Sequence, residues 1–198
     1  MTTTDRLLEL GGELIHDGTC IELPDNATVK RALLDHQLDD RYPFSLEELC
    51  YRNGRKAPGR LFVPQGAALA AKLDVLVHVV GPWRLRRGVA FDVLGGGGYD
   101  PITDAAGKRV THRSSSSSHH QYVPAHPRFP RRGGGTAVDI RARGDVQPNE
   151  ADIEWLKGVA LDDGRRVSVI VYYPGRGGAA GFIHVDLRTG APYRARER

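Results

Sequence analysis

At 198 residues, 40% of them hydrophobic, the chain can bury one substantial core with extra pieces at its ends, and it has neither the sustained heptads of a coiled coil nor the repeat of a solenoid. A net charge of +4 and a pI near 9.2 lean toward an anionic partner, with arginines gathered at Arg84–Arg87, Arg128–Arg132 and Arg194–Arg198; cell wall, nucleic acid, a membrane surface or plain solvation each fit such clusters. Cys20 and Cys50 are too few for a disulfide framework and lack zinc-type spacing, no stretch is long and apolar enough to span a bilayer, and the first residues lack the basic-then-apolar pattern of a secretion signal.

Residues 1–42 read as an N-terminal extension. Turn signals at Gly11-Gly12, Asp17-Gly18 and Pro24-Asp25-Asn26 predict a hairpin, then a short helix around Val29 to Gln37. A domain spanning residues 43–193 follows. At its start, Ser45 and Glu48 have the spacing of a capping box, and Phe44 is placed to staple against Leu49. From Gly66 to Val80, Leu69, Leu73, Leu76, Val77 and Val80 fall on one helical face, and Gly81-Pro82 is expected to end that helix. Val89 to Leu94 reads as a strand running into Gly95–Gly98. Residues 100–134 have no period and carry a serine run, adjacent histidines and several arginines, the pattern of a long inserted loop.

A strand is expected over Thr136 to Ala142, then a helix from about Glu150 to Leu161 capped by Asn149, with Ile153, Leu156, Val159 and Ala160 as its buried stripe. Val167 to Tyr173 is β-branched and aromatic, and Phe182 to Leu187 reads as its hairpin partner across a Gly-rich turn. The order of elements predicts an α+β domain with a small antiparallel sheet and flanking helices, followed by a basic tail over residues 194–198.

Alternation along Gly181 to Arg188 sends Ile183, Val185 and Leu187 to a core, and Phe182, His184, Asp186 and Arg188 to the other face. Asp139 repeats the theme, sharing a face with Ala137 opposite Val138 and Ile140. Two neutral imidazoles and one carboxylate suit a hydrolytic zinc site, because they hold the ion without cancelling its charge and leave a coordination place free. His184, Asp139 and one of His119 or His120 supply that set. Adjacent residues of an extended segment face opposite ways, so only one of those two histidines reaches the ion.

The chain also resembles a known family. Ser-x-His in the serine-flanked loop, Gly135-Thr-Ala-Val-Asp139, the Tyr172-Tyr173-Pro174 turn and Phe182-Ile-His-Val-Asp186 are similar to the motifs of the zinc D-Ala-D-Ala carboxypeptidases and their L,D- and D,D-endopeptidase relatives. Those enzymes share the hedgehog/DD-peptidase fold, and the likeness is to the bacterial subgroup whose last motif ends His-x-Asp. The resemblance covers residues from about Pro43 to about Tyr193. It implies a Zn2+ metallopeptidase acting on peptidoglycan stem peptides or another D-amino-acid peptide, with His119 or His120, Asp139 and His184 as ligands.

Three departures from the family pattern stand out. Tyr122 to Gly134 intervenes between the first histidine and Asp139, which keeps His126 open as the ligand. Gly97-Gly-Tyr-Asp100 stands where the family has Ser-Gly-Tyr-Arg, leaving Arg113 or Arg109 to stabilise the oxyanion. Gly181 occupies the family's general-base position three residues before the second histidine, so Asp186 is assigned the base role or a supporting one.

The alternative is a zinc-clipped, cell-wall-binding module without turnover. Nucleic acid is not expected as a partner, because the basic residues lack interleaved aromatics or a known nucleic-acid motif. Read as written, the chain stays in the cytoplasm, or reaches the wall by phage lysis or a secretion system.

Overall fold

The structure, a computed structural model, describes residues 2–15, 18, 20–52, 59–88, 91–94, 137–174 and 180–188. The fold is α+β. Helix α1 (Thr3–Glu9) starts at Thr2, whose hydroxyl accepts the Asp5 N–H at 3.1 Å while the Asp5 carboxylate accepts the Thr2 N–H at 2.8 Å. Strands β1 (Glu13–Ile15) and β2 (Cys20–Pro24) form the expected hairpin, and α2 (Ala27–Asp35) follows, capped by Asn26 accepting from Val29 N at 2.9 Å. The Ser45/Glu48 box also forms, with Ser45 N donating to Glu48 Oε2 at 3.0 Å. It caps only one 3-10 turn, Leu46–Leu49, because Cys50 is already extended and leads into β3 (Tyr51–Arg52).

Strand β4 (Arg60–Pro64) pairs with both β2 and β3, giving a four-stranded antiparallel sheet in the order β1-β2-β4-β3. Leu7, Ile21, Leu23, Val29, Leu33, Leu46, Leu61 and Val63 form its core. Both cysteines are buried, in separate clusters and not in a disulfide, and Cys50 Sγ donates to Leu46 O at 3.3 Å.

The helix expected to end at Gly81-Pro82 does not end there. Helix α3 (Gly66–Val75) passes through a π turn, Leu76–Val80, directly into α4 (Gly81–Arg87). Pro82 sits in the first turn of α4, where a missing N–H costs little, and the π turn absorbs the residue that would otherwise clash. A Cβ at Gly81 would lie 2.6 Å from the Tyr42 ring, so glycine is needed there for packing rather than as a stop. The stop comes at Gly88, which adopts φ +63°. The π turn also shifts the buried face to Ala68, Lys72, Val75, Leu76, Val79 and Val80, leaving Leu69, Leu73 and Val77 partly exposed. His78 projects outward beside Asp74, at 3.5 Å.

Strands β5 (Phe91–Leu94), β6 (Ala137–Ala142), β7 (Arg166–Tyr172) and β8 (Phe182–Arg188) form a second antiparallel sheet in the order β5-β6-β8-β7. Helix α5 (Glu150–Gly158) connects β6 to β7, and Asn149 caps it by accepting from Ala151 N at 2.9 Å. Val138, Ile140, Val167, Val169, Val171, Ile183, Val185 and Leu187 line the face that meets Val75, Val79, Trp83, Ile153 and Leu156. Of the residues expected in the α5 stripe, Val159 is only half-buried and Ala160 is exposed, because the helix ends before them.

Ion pairs fix these helices against the second sheet. Arg165, in the turn before β7, binds Asp74 of α3 and Asp163. Arg84 donates to Glu48 and to Pro43 O, and its guanidinium lies 4.2 Å above the Phe44 ring. Arg87 bonds Asp145 at 2.7 Å and lies 3.1 Å from buried Asp152. The Arg84–Arg87 cluster is therefore spent largely on internal carboxylates. The other two basic clusters lie outside the described residues.

Candidate functional site

The outer face of the second sheet carries the polar residues, and its register sets them in rows. In one row Leu94, Asp139, His184 and Ile170 lie opposite each other across β5, β6, β8 and β7; in the next, Ala137, Asp186 and Ser168 do so across β6, β8 and β7. Directly opposed residues on antiparallel strands have Cβ atoms about 4.5–5.5 Å apart, close enough for an imidazole and a carboxylate to meet. They do: His184 Nδ1 and Asp139 Oδ1 are 2.8 Å apart. The Asp139 side chain keeps 19% exposure and that of His184 9%, so the pair is held by the sheet yet reachable from outside.

Asp186 and Ser168, about 7 Å along the strands, are fully enclosed at 0% and 1% exposure. Lys72 reaches this row from α3. It is buried, and its Nζ donates to Ala137 O at 2.6 Å. Burial pulls the Lys72 pKa down to about 7, while the Asp139 and Asp186 carboxylates act in the opposite direction. Beyond the start of β8, Tyr172 and Phe182 stack across the hairpin at 4.5 Å.

An Nδ1 and an Oδ1 that both bind one tetrahedral zinc at ~2.0–2.1 Å stand roughly 3.4 Å apart. The 2.8 Å contact is a hydrogen-bond distance, about half an ångström short of that separation, so the pair would hold a divalent cation after moving apart by that amount. Among the described residues no group of three or more His, Cys, Asp and Glu side chains converges as a cage. His119, His120 and His126, the alternatives for the third donor, lie outside the described residues, as do Arg109, Arg113 and Asp100.

Gly181 is locked in place. Its N–H donates to Val146 O at 2.9 Å, and a Cβ there would lie 2.5 Å from Tyr172 O and 2.7 Å from Pro148 Cδ. No side chain fits, so a carboxylate base three residues before His184 is sterically excluded in this chain. No protein-family model, curated protein sequence or solved structure matches this chain.

Two members of the polar face escape a reading of the sequence. Ser168 looks like one more residue of a β-branched strand. Lys72 looks like an ordinary helical lysine, and its one signal is that it and Asp74 are the only charges formal at neutral pH in the apolar run Gly66–Val80. Among the described residues no helix is long and apolar enough to cross a membrane.

Proposed function

We propose that the chain is a zinc-dependent peptidase of the hedgehog/DD-peptidase type that acts on peptidoglycan stem peptides or related D-amino-acid peptides. The observation that carries this reading is the directly opposed Asp139–His184 pair, whose Oδ1 and Nδ1 converge at 2.8 Å on a reachable sheet face. The motif resemblance assigns the ligand role to these same two residues, with His119, His120 or His126 as the third. When bound, zinc supplies Lewis acidity toward a carbonyl and lowers the pKa of a water.

The chain's own residues do the rest. Asp139 and His184 would hold the ion, side by side on neighbouring strands. The rim of this face, with the stacked Tyr172 and Phe182 rings, offers an apolar wall to a peptide. Asp186 is wholly enclosed, which favours its supporting role over direct proton transfer to or from substrate. Arg113 is the cation proposed to stabilise developing negative charge.

The full chain is expected to carry about one zinc and to release product from muropeptides in a chelator-sensitive way. His184→Ala should lose both properties; retention of both would refute the reading. The second reading, a zinc-clipped wall-binding module, is favoured by the sealed Gly181 position and the enclosure of Asp186. Tight zinc with muropeptide binding but no turnover would select it.

A further inference from the structure

An ammonium is an expensive group to bury, and a lysine enclosed as fully as Lys72 requires compensation on every side. One proton goes to Ala137 O at 2.6 Å. Ala137 stands directly opposite Asp186 and two residues before Asp139 on the same strand, so Lys72 Nζ lies at the end of the row that holds Asp186 and next to the row that holds the His184–Asp139 pair. Both carboxylates act on it electrostatically. The helix that carries Lys72 is anchored as well, because Arg165 ties Asp74, two residues along α3, to the turn before β7.

We propose that Lys72 is a positioning residue of the site: it clamps the first peptide of β6 and supplies a buried counter-charge to Asp139 and Asp186. The functional part of this inference rests on the zinc reading above. Below pH 7, where Lys72 is protonated, its ammonium added to two carboxylates, the neutral ligand imidazoles and a dication leaves the loaded site with surplus positive charge. It therefore weakens the grip on the metal while keeping the ligand strands in register before any metal arrives. A lysine that merely fills space would have no such effect, since methionine fills nearly the same volume.

The test uses the full chain in two arms. In the metal-free arm, a double-mutant cycle is built at pH 6 from Lys72→Met, Asp186→Asn and the pair, and folding equilibria are read by urea denaturation. Asp186→Asn is expected to lower the folding constant at least tenfold more with lysine at position 72 than with methionine; effects that add within twofold would overturn the proposal. Should Lys72→Met not fold, the Nζ resonance of Lys72 answers the same question. Asp186→Asn should move its titration midpoint to lower pH, and an unmoved midpoint would overturn the proposal.

In the metal arm, also at pH 6, folded Lys72→Met should bind zinc about tenfold more tightly than the unaltered chain, and unchanged or weaker binding would contradict the charge role. If the unaltered chain binds no zinc at Asp139 and His184, the peptidase reading fails, and the metal-free arm still decides whether Lys72 balances the carboxylates.

Discussion

Replacing Gly181 by alanine probes the mechanical link between the core and the candidate site. At most sites where alanine is tolerated, the exchange stabilises a protein by ~0.4–1 kcal/mol, because it restricts the unfolded chain. Here the added Cβ would meet Tyr172 O at 2.5 Å, Pro148 Cδ at 2.7 Å and Pro174 Cδ at 3.1 Å. None of these atoms is the free end of a flexible side chain. A backbone carbonyl and two proline rings must move, or β8 must retreat from β7. Overpacking of this kind costs ~1–3 kcal/mol, and the rigidity of the neighbours puts the expected loss at about 2–3 kcal/mol. For a chain of this size that corresponds to roughly 4–12 °C in Tm.

The retreat also bears on the site, because Gly181 immediately precedes Phe182 and its N–H is held by Val146 O. A shift at the start of β8 is expected to carry His184 away from Asp139 and so to weaken the proposed zinc site along with stability. Urea denaturation gives the first quantity and zinc titration the second. A Gly181→Ala protein within 0.5 kcal/mol of the unaltered chain would refute the claim that this position is sealed.

Two further perturbations test other parts of the structure. Burial takes the Lys72 pKa from 10.5 to about 7, so between those values the unfolded chain holds a proton that the folded chain lacks, and stability rises with pH across that window. The gain is at most on the order of 5 kcal/mol; paired urea titrations from pH 7 to 9 should show the rise in the unaltered chain and its loss in Lys72→Met, and parallel curves would contradict it. Asn26→Ala removes the acceptor of the Val29 N–H and should cost about 1 kcal/mol in thermal or urea denaturation, with zinc binding unaffected.

What the sequence makes legible follows from one-sided burial. Along residues 182–187 a strand must turn Ile183, Val185 and Leu187 toward a core, so His184 and Asp186 fall together on the opposite face, as they do. The hairpin and second helix of the first 35 residues are legible for a different reason, the turn chemistry of Gly11-Gly12, Asp17-Gly18 and Pro24-Asp25-Asn26. The register between β6 and β8 is not: alternation within one strand is silent on whether Asp139 stands opposite His184 or Asp186.

Strand β4 goes unread because Leu61, Phe62 and Val63 are all buried, which replaces alternation with a short apolar run. The continuation of the α3–α4 rod past Pro82 is hidden because a π turn leaves no mark in residue type. Lys72 is hidden because its burial depends on a carbonyl and two carboxylates more than sixty residues away. The arginines of Arg84–Arg87 suggest an outside anion, while their partners, Glu48, Asp145 and Asp152, lie far off in sequence.

The peptidase reading stands or falls on whether Asp139 and His184 jointly hold a divalent cation. Anomalous scattering at the zinc edge, from crystals of the full chain grown with zinc, tests it most directly. One peak is expected within ~2.0–2.2 Å of both an Asp139 carboxylate oxygen and His184 Nδ1, joined by an imidazole from His119, His120 or His126. A peak elsewhere, or none beside that pair, would contradict it.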